Sequence, residues 1–365
     1  MRLSQLIATL TQNGTFNAMN ASLRSQFGRG SRRYIGAELM PERLLPADSN
    51  NVIRATTLLW RAVIAVDQPR YAPTVKRSSA VGGSQLLQTA TAGAKADFTV
   101  QDADLLSSLR GDNLTIRDGP RVVELLTNGV IIPLVENVER HRWQAMVGAQ
   151  VTLAGDNNYR EVVNYSNPAN SRVAIAPGAW AGGSYDALAD YMARIAWLRN
   201  NGFEPVRSVT SSTMLNKFLA NQAVRASLGD IVINGGGTFS VTSPVPSLSK
   251  INQYFAANNL PPVETYDLQY RNMVGTGRFL PVDAWVITGS TGLNENVDLG
   301  DNTQEMLENT LGYVAVGTVA GQGAPGRYSR FVVEEEYPPV AWAEGVQETL
   351  PIIQQPNGVT VMTGG

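Results

Sequence analysis

The stretch GPRVVELLTNGVIIPLVENVERHRWQAMVGA, Gly119–Ala149, decides how the rest of the chain is read. Gly119-Pro120 opens a helix, because proline at the first helical position forfeits no hydrogen bond and brings a suitable φ. Val122, Val123, Leu125 and Leu126 supply apolar contacts, and Asn128-Gly129 is a pair that favours a stop. Pro133 then opens a second helix running to about Ala149, unless the two pieces are one long helix kinked at Pro133. Leu134, Val138, His141, Ala145 and Gly148 recur at three-to-four spacing and mark a buried stripe. Glu136 and Arg140 stand at i, i+4 with the acid N-terminal, the favourable order. His141, the chain's single histidine, falls on the stripe and reads as a structural histidine satisfied within a helix interface.

Upstream of this helical region the chain is extended. Val52–Val66 is dense in Thr, Leu, Val and Ile and is bounded by Pro69 and Pro73; Leu86–Val100 resumes the pattern with Thr and small residues. Between them lies a polar stretch, Thr74 to Gln85, centred on Gly82-Gly83. Two extended arms around a Gly-Gly turn predict a long hairpin. It has few large apolar residues near its tip and cannot bury a core alone, so it must lie on its own domain or on a partner.

Downstream, Val151–Leu153 and Tyr159–Tyr165 predict a hairpin around Gly155-Asp-Asn-Asn. A boundary falls at the glycine-rich break Ala176–Gly183. Ser184 is the expected cap of a helix with Leu188, Tyr191, Ile195 and Leu198 on its buried stripe. A strand Val206–Thr210, a capped helix from Ser212 to about Leu219 and a helix Leu248–Ala257 follow. Strands are expected at Val263–Tyr270, Arg278–Thr288, Leu311–Ala320, Tyr328–Glu336, Ala341–Pro351 and Val359–Met362. Gly321-Gln-Gly323-Ala-Pro-Gly326 fits G-x-G-x-x-G, but a strand rather than a helix follows it, so it reads as a glycine-rich hairpin and not as a dinucleotide site. Helices and strands alternate irregularly, which predicts an α+β fold.

Composition narrows the function classes. The chain has 365 residues, 43% hydrophobic and only 16% charged, against about 25% charged in an ordinary soluble domain. The net charge of -2 combines a segment, residues 1–37, that carries +5 with no acid, and a remainder that carries -7. The sequence pI of 5.6 excludes a wholly basic nucleic-acid binder. Zero cysteines exclude disulfides, thiolate metal sites and a cysteine nucleophile. One histidine excludes His-x-x-x-His metal sites, and there is no phosphate loop. No catalytic residue, metal ligand or cofactor site is expected. No apolar run approaches the roughly 18–20 residues of a membrane span, and no signal peptide is read. Sparse charge points to a surface that meets other protein. Four lysines against 25 arginines fit that view, because the planar guanidinium pairs well with carboxylates at interfaces.

The order of elements resembles the major capsid proteins of tailed bacteriophages, the Hong Kong 97 or Johnson fold, with the nearest likeness to the lambda capsid protein E family. Three stretches carry it: Val52–Tyr71 with the Lys76–Lys95 hairpin, similar to the extended E-loop; Gly119–Val151, similar to the spine helix; and the run from Arg278-Phe-Leu-Pro-Val-Asp-Ala-Trp-Val-Ile-Thr-Gly to Leu350-Pro-Ile-Ile-Gln. The resemblance implies an N-terminal arm over 1–51, an E-loop over 52–117, a peripheral domain over 118–183, an axial domain over 184–310 and a returning β segment over 311–365. It implies a non-enzymatic chain that forms pentamers and hexamers and closes an icosahedral head around double-stranded DNA, in a virion assembled in the host cytoplasm. Partners would be a separate scaffolding protein, a portal and a decoration protein; only some 50 residues precede the hairpin, too few for a fused scaffold. Rival readings are an encapsulin-like nanocompartment and a β-rich carbohydrate-active or carbohydrate-binding protein.

Specific residues follow. Arg24, Arg29, Arg32 and Arg33 are either the DNA-facing cations of the arm or incidental charges on a strap that runs along a neighbouring subunit. Arg70, Lys76 and Arg77 on the hairpin are expected to meet an acidic run on a neighbouring subunit, with Glu334, Glu335 and Glu336 as the densest such run. Lys76 and Lys95 lie where some members of that family form a Lys–Asn cross-link, without an identifiable partner Asn.

Overall fold

The computed structural model describes residues 33–46, 51–58, 81–98, 119–154, 160–181, 185–228, 232–233, 239–240, 246–271, 275–290, 311–334 and 340–364. In chain order the first elements are α1 (Ile35–Leu39), β1 (Glu42–Leu44), β2 (Val52–Leu58), β3 (Val81–Gln88), β4 (Ala90–Phe98) and α2 (Gly119–Gly148). Next come β5 (Gln150–Ala154), β6 (Arg160–Asn164), β7 (Arg172–Ile175), α3 (Ala187–Asn200), β8 (Glu204–Thr210), α4 (Ser212–Ala220) and α5 (Gln222–Leu228). The chain continues through β9 (Val232–Ile233), β10 (Phe239–Ser240), α6 (Leu248–Ala257), β11 (Val263–Thr265), β12 (Gln269–Arg271), β13 (Thr276–Arg278) and β14 (Ala284–Ser290). It closes with β15 (Gly312–Val316), β16 (Arg327–Glu334), β17 (Val340–Ile353) and β18 (Val359–Gly364).

α2 is one helix of 30 residues, about 45 Å long at 1.5 Å per residue. It passes through both Asn128-Gly129 and Pro133. An internal proline costs roughly 3 kcal/mol, and tertiary burial outweighs that here. Val130, Ile131, Leu134, Val135, Val138, Trp143, Ala145 and Met146 are all buried, so the helix is covered on several faces rather than along one stripe. Leu134, Val138, His141 and Ala145 of the expected stripe are buried, but Gly148 is exposed. Helix and sheet meet closely because β17 offers no side chain at Gly345: a Cβ there would lie 2.1 Å from Val130 Cγ1.

The sheet beneath α2 is organised by β17, 14 residues long. β4 pairs antiparallel along one edge, Thr91 facing Glu348 and Phe98 facing Ala341. On the other edge β15 pairs with Thr349–Ile353 and β16 pairs with 340–347. Thr349 faces Val316 on one side and Ala90 on the other, so β15 and β16 lie end to end along one edge. The glycine-rich segment between them is therefore not a hairpin. It is a loop that leaves the edge and returns to it, closed by Gly326 N donating to Gly317 O at 3.1 Å.

A second five-stranded sheet has the order β11-β8-β14-β18-β7. The last strand of the chain, β18, sits inside it between β14 and β7. β7, which precedes the break at residue 183, belongs to this sheet. α3, α4 and α6 cover an aromatic cluster of Trp180, Tyr191, Phe218, Phe255 and Trp285, with Tyr191 stacked on Phe255 at 4.7 Å and Phe218 edge-on to Trp285 at 4.9 Å. The caps are local side chains. Asp186, not Ser184, accepts from Ala189 N for α3, while Ser211 and Ser247 do the same for α4 and α6.

Three further expectations change. Gly82-Gly83 lie within β3, where Gly83 faces Thr57 of β2, so they are strand rather than turn; the connection between β2 and β3 lies outside the described residues. The strand expected over 263–270 is two short strands, β11 and β12, and that over 278–288 is β13 and β14. In each case a buried Tyr266 or Phe279–Leu280 turns the chain inward. The β5–β6 hairpin is as expected, Gln150 facing Asn164.

Candidate functional site: the roots of the arm and the hairpin

The N-terminal segment is part of the core from Arg33 onward. Ile35, Gly36, Met40 and Leu45 are buried, and β1 runs parallel to β15. Its anchor is Glu139 on α2, fully buried. One Glu139 oxygen accepts from Gly36 N at 2.8 Å, Trp143 Nε1 at 2.8 Å and Tyr266 OH at 2.9 Å. The other accepts from Arg142 Nη1 at 3.3 Å. Gly36 has to be glycine: a Cβ there would lie 2.7 Å from both carboxylate oxygens. Burial, then the adjacent Glu139 charge, pushes the Tyr266 phenol well above its ordinary value. Arg142, itself buried, also donates to Met40 O at 3.0 Å and reaches Glu42 Oε1 at 3.2 Å. Burial works against ionisation of Glu42, but Arg327 and then Arg142 more than offset it and hold the carboxyl below the usual range.

A closed ring of charges continues from the same segment. Arg33 reaches Glu38 at 2.7 Å and Glu264 at 3.2 Å; Arg207 of β8 reaches the same two acids at 2.7 and 3.0 Å. The Arg33 hydrogen bond, opposed by burial and reinforced by Arg207, lowers the Glu38 pKa. The arm's root thus spans from α2 to the β8–β11 side of the second sheet.

The hairpin has a separate root. β2 and β3 pair only with each other among the described strands. The chain enters β2 through Asn51, a left-handed residue with φ 61°, a conformation asparagine tolerates. Asn51 O accepts from Thr89 N at 3.2 Å, its Oδ1 accepts from Thr318 N at 2.7 Å, and its Nδ2 donates to Thr318 O at 2.8 Å and to Glu348. Glu348 of β17 also accepts from Thr89 Oγ1 at 3.0 Å and Thr91 Oγ1 at 3.4 Å. One carboxylate therefore ties both ends of the hairpin to β17, and the Asn51 side chain ties its entry to the start of the glycine-rich loop.

Of the residues singled out from the sequence, Arg33 lies in the ion ring, with its side chain 62% exposed. Glu334 is the last residue of β16, facing Val340. Arg24, Arg29, Arg32, Arg70, Lys76, Arg77, Glu335 and Glu336 lie outside the described residues. Lys95 stands over the Trp342 ring at 4.4 Å and 3.5 Å from Asp97. Glu139, Arg142, Asn51 and Glu348 were not anticipated. Glu139 and Arg142 do have a signal, since they sit at helical spacing among Val135, Val138 and Met146, where charge is unexpected; Asn51 and Glu348 have none. Among the described residues no cluster of His, Asp and Glu could hold a metal, and no helix is long and apolar enough to cross a membrane.

No protein-family model and no curated protein matches the chain. Solved structures do. A prophage protein of E. coli CFT073, assigned as its capsid protein, is 12% identical, with 94% of this chain and 98% of that one covered at a TM-score of 0.55. A phage-related protein of Bordetella bronchiseptica RB50 is 14% identical over 92% and 93% at a TM-score of 0.51. An encapsulin complex from Synechococcus elongatus PCC 7942 is 10% identical over 92% and 88% at a TM-score of 0.42. The α+β architecture is the Hong Kong 97-like capsid fold, as the sequence led us to expect.

Proposed function

We propose that this chain is a structural capsid-shell protein, the major capsid protein of a tailed phage. It assembles as pentamers and hexamers into an icosahedral head enclosing double-stranded DNA and has no enzymatic role. The observation that carries this is the β2–β3 ribbon. It is rooted firmly through Asn51 and Glu348 yet gains no third strand from its own chain among the described elements, and an isolated two-stranded ribbon is marginal in water. Its completion by another copy is the reading, and the sparse surface charge agrees with it. Arg70, Lys76 and Arg77 meet acid on a neighbour, with Glu334–Glu336 as the partner run. Arg24, Arg29 and Arg32 face DNA; Arg33 is already engaged by Glu38 and Glu264. A separate scaffolding protein, a portal and a decoration protein complete the head in the host cytoplasm.

Electron microscopy of the purified protein tests the shell: closed particles are expected, and only small monodisperse species would overturn it. Charge reversal at Lys76 and Arg77 should abolish particles while leaving the subunit folded. The nanocompartment reading is separated by content. Deleting residues 2–32 should lower retained DNA in a salt-dependent way, and shells that never protect nucleic acid from nuclease would favour a compartment for protein.

A further inference from the structure

β4 lies along one margin of the β17 sheet, and its outer edge has no neighbour among the described strands. The direction of that edge follows from alternation. Glu348 O accepts from Gly317 N at 2.8 Å, on the β15 side of β17, so Glu348 turns its backbone away from β4. Thr91, which faces Glu348 across the ladder, therefore turns its own N–H and C=O outward, and so do Gly93, Lys95 and Asp97. All four residues are exposed. Lys95 and Asp97 charge the far half of this edge, a common guard against strand addition. The near half, residues 90–94, holds only alanine, threonine and glycine. That uncharged half, roughly 13 Å long, opens onto a groove of about 550 Å³ flanked by Glu136 and Arg140 of α2 and by Tyr270 and Arg271 of β12. Walled on both sides, the groove suits a single extended chain rather than a two-stranded ribbon.

The N-terminal arm contains such a chain, in residues that lie outside those described. Residues 3–23 carry no charge at all, and after Arg2 the arm's arginines begin at Arg24. Within that stretch Leu6, Ala8 and Leu10 alternate with the β-branched Ile7, Thr9 and Thr11, the pattern of a strand with one apolar face. An uncharged strand meets no repulsion from Arg140 or Arg271 and needs no counter-ion in the groove. The described chain also begins beside the groove. The Tyr34 ring lies 6.1 Å from Phe279, and Phe279 lies 5.1 Å from Tyr270 on the groove wall. Residues 12–32 can span roughly 70 Å when extended, far more than this gap requires, and such a tether keeps the strand at an effective concentration on the order of millimolar. We propose that residues 6–11 of the arm add to β4 of their own subunit as a further strand, bonding the outward N–H and C=O groups of Thr91 and Gly93. This pairing does not rest on the shell reading.

The chain has no cysteine, so disulfide trapping tests the pairing without background. Gly93→Cys fits its position, where a Cβ meets nothing closer than Gly345 O at 3.8 Å. It is combined in the full chain with a second cysteine placed at each position from 6 to 11 in turn, and the oxidised products are run on a non-reducing denaturing gel. Bonds within one chain are expected, forming about fivefold or more faster at alternate positions, the period of a strand. Bonds between chains would assign the strand to a second copy and overturn the own-arm pairing. Equal bonding at all six positions, or none, would overturn strand addition itself. Hydrogen exchange supplies a measurement without a cysteine in the sheet. The Thr91 and Gly93 amides should exchange about tenfold or more slowly in the unsubstituted chain than in the double variant Ala8→Pro, Thr9→Pro, because proline cannot complete a ladder. Protection that survives both prolines would mean that another segment covers the edge, and no protection in either chain would mean that the edge meets only water; each result overturns the proposal.

Discussion

Glu139, at the root of the arm, and Glu348, at the root of the hairpin, are both withdrawn from solvent, at 0% and 9% exposure, yet they are held differently. Glu139 has a guanidinium beside it and three neutral donors; it is a charge compensated inside the core. Glu348 is held by the Asn51 amide and two threonine hydroxyls, with no cation among the described residues. The first root binds the arm into the helix–sheet core and shares the fate of the whole fold. The second rests on a few neutral hydrogen bonds at the point where a two-stranded ribbon departs. An interior charge loses several kcal/mol of hydration, which only close partners restore; the arm root is therefore the costlier one to disturb.

The largest test of this contrast is Arg142→Met. It leaves Glu139 buried without its cation and should destabilise the whole subunit by about 3–5 kcal/mol, read as a lower midpoint in urea. Two residues beyond Glu139, His141 makes a prediction of similar size at acid pH. Its unfolded pKa is about 6.5, and burial, with the Arg140 charge adding to it, lowers the folded value to about 3. Between those values the unfolded chain holds a proton that the folded chain does not. Stability should then be full above pH 6.5 and fall as pH drops toward 3, by at most about 5 kcal/mol. A His141→Phe variant should flatten that slope, and an unchanged slope would show that the ring is not the group involved.

At the hairpin root, Glu348→Gln keeps the size of the side chain but removes its charge and places an amide against donors. A cost of about 1–3 kcal/mol is expected. Hydrogen exchange should show it first at Thr89 N and along β2–β3, with α2 protected as before. Uniform loss of protection would erase the distinction between the two roots. The smallest effect belongs to Arg33→Ala in the exposed ion ring, roughly 0.2–1 kcal/mol and less at high salt. Because the folded Glu38 pKa is lowered, the ring's contribution is present at neutral pH and disappears as pH falls through the folded value. A measurable loss in Arg33→Ala that persists at the lowest pH would show that packing rather than charge holds the ring.

Much of this fold is legible in the residues themselves. Three-to-four spacing marked α2, α3 and α6, and Leu248–Ala257 agrees at both ends, because Ser247 offers a cap with an apolar stripe behind it. Asn128-Gly129 and Pro133 left two helices or one long helix open, and the single helix is the outcome, because local propensity speaks for a stop and only burial on several faces carries the helix through. The glycine-rich loop was located correctly between two strands but not recognised as an excursion, because the partner that aligns β15 and β16 is β17, later in the chain. Of the sites, the sequence exposed the charge asymmetry and the lone buried histidine. It did not expose the two carboxylate roots. Gly36 meets Glu139 across 103 positions, and Asn51 meets Glu348 across 297. Sequence alone marks most of the segments that become helix and strand, where charge is scarce, and which chemistries are absent. Only the tertiary structure decides which buried charges find partners, because those partners are distant in the chain and a carboxylate's cost depends on what surrounds it.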